Sequence, residues 1–196
     1  FAPLANRLGI WQIKWELEDL SFRFLQPDDY RRIARLLDEK RVEREESVEA
    51  ARRRLTAHLS EHGVNAQVQG RPKHIYSIWK KMQGKGLDFS RVFDVRALRV
   101  IVEDVPGCYA ALSRAHELWT AVAEEFDDYI ARPKPNGYQS LHTVVRDESG
   151  QALEIQIRTR EMHEHAESGV AAHWAYKEAG AKGYAGVSAS GDFEER

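Results

Sequence analysis

Residues 153–159 read LEIQIRT, and in an extended chain their side chains sort onto two faces. Leu153, Ile155 and Ile157 share one face, while Glu154, Gln156 and Arg158 share the other. The alternation predicts a strand over Ala152 to Ile157, with one side on a core and an acid on the opposite side. Asp147-Glu148-Ser149-Gly150 before it reads as a turn, and Leu141 to Val145 as the strand leading into that turn.

Farther toward the N-terminus, Phe93 to Val102 (FDVRALRVIV) is a strong strand candidate with Asp94 near its start. Pro106-Gly107 reads as a turn, followed by a helix from Cys108 to Val122. Val64 to Val68 alternates as a short strand, and Gly70-Arg71-Pro72-Lys73-His74 leads into a helix from Ile75 to Met82. Gln83-Gly84-Lys85-Gly86 then reads as a loop without the spacing of a Walker A motif. One hairpin plus strands separated by helices predicts an α/β (α+β) fold, a mixed sheet of about five strands flanked by helices.

The sequence ahead of this region is helical. Ile10, Ile13, Leu17, Leu20 and Phe24 recur every three or four residues, beside a row of Leu4, Leu8, Trp11 and Trp15. Residues 1–26 are therefore expected to form an amphipathic helix with a wide packing stripe. Pro27-Asp28-Asp29 starts the next helix, and a highly charged helical segment runs from Tyr30 to about His62. Arg52-Arg53-Arg54 within it reads as a solvated face. A last helix is expected over about Glu161 to Lys177, followed by a Gly-rich, mobile stretch. The expected organisation is a helical segment 1–62, a core 63–178 and a flexible tail 179–196.

The 196 residues carry a formal net charge of −2, so any anion site must come from local clustering. The single cysteine, Cys108, excludes an internal disulfide and reads as a small buried residue in a reducing compartment. No apolar run reaches the roughly 20 residues of a membrane helix. The chain begins at Phe1 within helix-like sequence, as expected of a piece of a longer protein.

Asp94 and Glu154 sit in strand-like runs, where an acid is costly to bury unless paired or bound to metal. On neighbouring strands they can seat Mg²⁺; alternatively Glu154 lines a wet sheet face and Asp94 pairs with Arg91 or Arg96. Arg71, Lys73, Lys80, Lys81 and Lys85 cluster around one turn and helix and suit a polyphosphate. Arg96 and Arg99 add guanidiniums able to stack on a base or grip phosphate. Residues 132–143, RPKPNGYQSLHT, hold more chemistry than a polar loop needs. Asn136-Gly137 marks a positive-φ turn, and Tyr138 offers a face to a base. Asn136 and Gln139 offer edge hydrogen bonds, and Arg132, Lys134 and His142 offer contacts to phosphate. Together these groups point to phosphoryl-type transfer, where catalysis is positioning plus charge stabilisation. His163, His165 and His173 lack zinc-protease spacing.

On these residues the sequence resembles the (p)ppGpp synthetase domain of the RelA/SpoT family, the stringent-response alarmone synthetases. The matching motifs are GRPKHIYSIWKKM (70–82), FDVRALRV (93–100), EFDDYIARPKPNGYQSLHTVV (125–145), LEIQIRT (153–159) and MHEHAESGVAAHW (162–174). The resemblance implies a nucleotidyltransferase-like fold and transfer of the β,γ-pyrophosphate of ATP to the 3′-hydroxyl of GDP or GTP. It assigns Mg²⁺ to Asp94 and Glu154, with Glu154 also the base and Gln156 supporting its face. Arg71, Lys73, Ser77 and Lys81 are implied to grip the ATP phosphates, and Arg99 to stack on adenine. Tyr138 is implied to stack on guanine, with Asn136 and His142 binding the acceptor nucleotide and Lys134 near its phosphates. The acidic run of Glu125, Asp127 and Asp128 resembles the synthesis-only RelA branch and is implied to bear on acceptor preference. The segment 1–22 resembles the family's link between a hydrolase-like domain and the synthetase. A cytoplasmic protein answering to the ribosome and uncharged tRNA through other domains, with no membrane partner, is implied. Two other readings remain, a catalytically silent nucleotide-binding module and an RNA-contacting domain built on the helix around Arg52.

Overall fold

The computed structural model describes residues 1–8, 11–86 and 96–168, so Asp94, the end of the last predicted helix and the 179–196 tail lie outside the described residues. Four helices come first: α1 (Ala2–Arg7), α2 (Trp11–Leu25), α3 (Pro27–Glu39) and α4 (Arg41–Glu61). Then follow β1 (Ala66–Gly70), α5 (Ile75–Lys85), β2 (Arg96–Val102) and α6 (Val105–Leu118). The short strands β3 (Thr120–Ala121) and β4 (Asp127–Asp128) precede the hairpin β5 (Leu141–Arg146) and β6 (Ala152–Thr159). Residues 160–168 are helical.

The sheet is mixed and six-stranded, in the order β1-β2-β6-β5-β3, with β4 also paired to β5. β2 and β6 run parallel, and the other pairs are antiparallel. One face carries the main core. Leu98, Val100, Leu141, Val145, Leu153, Ile155 and Ile157 meet Leu55 and Leu59 of α4 and Cys108, Ala111 and Ala115 of α6. The helix α4, grouped by sequence with the N-terminal helices, thus contributes to the core of the sheet. The alternation of 153–157 is obeyed, with Leu153, Ile155 and Ile157 all buried on that side.

Three local expectations are corrected. The helix of 105–118 begins earlier than predicted because Asp104 Oδ1 accepts the Gly107 N–H at 2.8 Å, an N-cap, and Pro106 fits its first turn. It also ends earlier, since Thr120 and Ala121 pair with Arg146 and Val145 of β5. The expected loop 83–86 is instead the last turn of α5, closed by Gly86 at φ 57°.

The N-terminal helix divides into α1 and α2, and its predicted stripe is largely open. Ile13, Leu20 and Phe24 are exposed, Phe24 to 81%. α2 docks instead through Trp15, Asp19 and Phe22, an i, i+4, i+7 row that an acid disguised. Phe22 is buried with Ile33 of α3 and Ile78 and Met82 of α5 in a second core. Leu55→Ala is expected to cost about 3 kcal/mol in urea unfolding, because it opens a cavity in the main core. Leu20→Ala is expected to stay within about 0.5 kcal/mol.

Candidate functional site

The sheet face turned away from the main core carries a continuous polar row. Strand register places Gln69, Arg99, Gln156, His142 and Asp127 abreast, from β1 through β2, β6 and β5 to β4. Glu154 lies one step along β6 on the same face, opposite the small Ala97. Its carboxylate is gripped by two lysines. Lys73 Nζ donates to one oxygen, and Lys81 Nζ donates to the other at 3.0 Å. Burial alone would raise the carboxyl pKa, but the two ammonium charges overcome it and lower Glu154 to about 2. Burial lowers the Lys73 pKa, with Glu154 opposing it.

The lysines converge because of where the chain places them. Arg71 N–H donates to the Ala97 carbonyl at 2.9 Å, which ties the 71–74 segment to the edge of β2. Gly70 lets this segment pass α4, since a Cβ there would stand 3.3 Å from Val48 Cγ1. Lys73, Ser77 and Lys81 are spaced by four along the entry and one face of α5, while Ile78 and Met82 enter the second core. Arg71, Lys73, Ser77 and Lys81 line one cavity of about 640 Å³ between α4, α5 and β2. All four expected phosphate ligands are thereby brought together. Lys80 is exposed, and Lys85 is paired with Glu125 at 2.9 Å.

Arg99 and Arg96 part company. Arg99 Nε donates to Gln156 Oε1 at 3.0 Å on the site face, and its Nη1 lies 3.6 Å from Glu167. Arg96 is buried on the other face, where it donates to Ser47 Oγ at 2.7 Å and to Asp147. Arg96 thereby ties α4 to the β5–β6 turn, and it also lines the cavity shared by Arg71, Lys73, Ser77 and Lys81.

The 132–143 loop is organised around Tyr138. Its hydroxyl meets His142 Nε2 at 2.7 Å and accepts from Gln156 Nε2, so Arg99, Gln156, Tyr138 and His142 form one chain of hydrogen bonds. Burial, reinforced by Arg71 and Lys134, lowers His142 to about 3, so its ring is uncharged at neutral pH. It can offer phosphate a hydrogen bond but no ionic contact. Lys134 Nζ stands 5.2 Å from the Tyr138 ring centroid and 4.4 Å from that of Tyr129. Asn136 Oδ1 accepts the Tyr138 N–H at 3.2 Å, and Gly137 takes φ 80°, so Asn136 spends its carbonyl on the turn.

The acidic run does not converge. Asp128 accepts from Tyr109 Oη at 2.8 Å and from the Ile130 and Ala131 N–H groups, while Glu125 faces Lys85. Asp127 remains beside His142 on the site face. Glu154 is a hard, deprotonated oxygen donor, fit for a divalent cation once its lysines are drawn off. Burial lifts the Cys108 thiol to about 12, which removes it as a nucleophile. Sequence reasoning gave no role to Glu167, which contacts Arg99 and Arg158 from the last helix, or to Asp19 of α2, and read Trp15 only as part of a packing stripe. Arg158 was marked only by its alternation with Glu154 and Gln156.

Residues 70–181 match the model of the region found in RelA/SpoT proteins. The chain is 58% identical to a GTP pyrophosphokinase of Escherichia coli (strain K12) over 93% of its length. It is 53% identical over 92% to a Synechocystis protein named a probable guanosine-3′,5′-bis(diphosphate) 3′-pyrophosphohydrolase. It spans about a quarter of the length of these curated relatives, 25% and 24% respectively. The crystal structure of the small alarmone synthetase 1 from Bacillus subtilis, bound to its product pppGpp, superposes with a TM-score of 0.53 at 26% identity. That match covers 76% of this chain and 83% of the other, and the two share a nucleotidyltransferase-like fold.

The depressed pKa values of His142 and Glu154 set the acid stability. Stability held by His142 is complete above its unfolded pKa of 6.5 and is lost as pH falls toward about 3. The share from Glu154 is lost between 4.5 and about 2. Urea unfolding is expected to show a loss on the order of 2 kcal/mol from His142 between pH 7 and 5. His142→Gln is expected to flatten the curve over that interval.

Proposed function

The chain belongs to the RelA/SpoT family, and we propose that it transfers the β,γ-pyrophosphate of ATP to the 3′-hydroxyl of GDP or GTP. The products are AMP and ppGpp or pppGpp. The observation that carries this reading is a deprotonated Glu154 between two lysines of a phosphate-sized cavity, on the same sheet face as the aromatic acceptor loop.

In this reading Arg71, Lys73, Ser77 and Lys81 take the donor triphosphate, and Arg99 lies against its base. Tyr138 stacks on guanine, oriented through its hydroxyl by Gln156 and His142. Lys134 meets the acceptor phosphates. The acceptor 3′-oxygen bonds to the β-phosphorus as the bond to the α,β-bridging oxygen breaks. AMP departs with that oxygen, and the 3′-hydroxyl proton passes to Glu154. Asp94 and Glu154 would hold Mg²⁺, which supplies charge neutralisation for the phosphates.

A carboxylate lowered to about 2 is a weak base. The same lysines that weaken it are the donor's phosphate ligands, so a bound triphosphate competes with Glu154 for Lys73 and Lys81. Donor binding thus raises the Glu154 pKa and arms the base only when ATP is present. Asp127, beside the acceptor loop, disfavours the more highly charged GTP. The single reduced cysteine and nucleotide substrates fit a cytoplasmic enzyme within a longer, ribosome- and tRNA-responsive protein. Among the described residues no helix is long and apolar enough to cross a membrane.

With γ-labelled ATP and GDP, wild-type protein is expected to label a guanine nucleotide. Glu154→Gln is expected to cut that transfer by about 10² to 10⁴. Because it frees two lysines, the same change is expected to leave ATP binding as tight or tighter; loss of ATP binding would contradict the competition. Asp127→Lys is expected to raise the GTP-to-GDP ratio of kcat/KM by roughly fivefold, and an unchanged ratio would count against that role.

A further inference from the structure

The docking row of α2 ends on the donor segment. Asp19 Oδ1 accepts the backbone N–H of Tyr76 at 2.8 Å, and its Oδ2 lies 3.6 Å from His74 Nδ1. His74 is the N-cap residue of α5 but provides no side-chain capping bond, so Asp19 caps the first turn of α5 from another helix. One turn earlier, Trp15 stacks on the His74 ring, with centroids 5.0 Å apart and planes 25° apart. The Arg71 guanidinium carbon stands 5.9 Å from the Trp15 centroid. Trp15 also lines a cavity of about 210 Å³ together with Arg71, His74 and Arg99.

Residues 71–74 have no regular hydrogen bonding of their own and carry two of the donor-phosphate ligands. The Arg71 N–H to Ala97 carbonyl bond fixes one end of the segment. Asp19 and Trp15 fix the other.

We propose that Asp19 and Trp15 are positioning residues for the donor nucleotide, holding segment 71–74 so that Arg71 and Lys73 face the cavity that takes the ATP phosphates. The proposal rests on the donor reading of that cavity. Neither residue is a phosphate ligand. Asp19 acts through the conformation of the segment, so its loss falls on donor binding more than on the acceptor or the chemical step, whereas Trp15 also packs against Tyr138 and its loss reaches both nucleotides.

The test is steady-state transfer by the 196-residue chain with ATP and GDP varied separately, beside calorimetric titration of each variant with ATP alone. Asp19→Ala is expected to raise the ATP KM about tenfold, with the GDP KM and kcat within about threefold of wild type. Asp19→Asn keeps an oxygen for the Tyr76 N–H and is expected to recover most of the loss. Trp15→Leu keeps bulk without an aromatic face and is expected to weaken ATP as well. An unchanged ATP KM in Asp19→Ala, or equal rises in both KM values with a lowered unfolding midpoint, would overturn the proposal. If wild type makes no product, the functional reading fails and the ATP titration decides: weaker binding by Asp19→Ala supports positioning, and equal binding refutes it. If Asp19→Ala does not fold, Trp15→Leu is judged by the ATP titration alone: weaker ATP binding supports the proposal and unchanged binding overturns it.

Discussion

The contact on which the site depends is the carboxylate of Glu154 held between the ammonium groups of Lys73 and Lys81. An acid in mid-strand would be costly without partners, and the partners come from a different layer of the fold. They draw α5 and its entry segment onto the sheet face, and Lys73 and Lys81 also line the cavity between α4, α5 and β2. The triad neutralises the charges that the proposed reaction assigns to phosphate binding and proton transfer. A buried pair of this kind contributes little net stability, because desolvating the ions offsets most of their attraction. In the proposed reaction its value is in poise: one competing polyphosphate would both gain two cations and release a base.

The sheet makes this economical. Parallel pairing of β2 with β6, flanked by antiparallel β1 and β5, sets side chains from four strands abreast. Arg99 on β2 and Tyr138 and His142 on the other side of β6 are therefore joined through one residue, Gln156. The opposite face is almost entirely aliphatic and is closed by α4 and α6, which gives the polar row a rigid backing. Rigid elements position groups more finely than loops do.

Much of this was legible in LEIQIRT and its surroundings. A period of two fixes which side chains of β6 meet the core and which meet the site, and it set Glu154 and Gln156 on one face, while His142 was marked by the composition of the 132–143 loop. The lysine cluster was legible because Arg71, Lys73, Lys80, Lys81 and Lys85 crowd one turn and helix, although the structure brings only Arg71, Lys73 and Lys81 of these to the cavity. What stayed hidden was long-range. Nothing local distinguishes Arg96 from Arg99, yet an odd separation on one strand sends them to opposite faces, one to Ser47 and Asp147 and the other to Gln156. The packing side of α2 was misread because its contact row includes Asp19, whose partner is a backbone N–H some 57 residues away. The acids at 125–128 looked like a cluster in sequence, but β4 pairing and the Tyr109 hydroxyl turn them apart.

The most direct test of the armed-base account is a carbon-13 NMR titration of the Glu154 side-chain carboxyl in Mg²⁺-free buffer, with and without a saturating α,β-methylene analogue of ATP. The account predicts a pKa near 2 in the free protein and a clear rise when the analogue draws off Lys73 and Lys81. A carboxyl whose pKa stays near 2 with the analogue bound would mean that the lysines remain on Glu154, and would contradict the competition on which the mechanism rests.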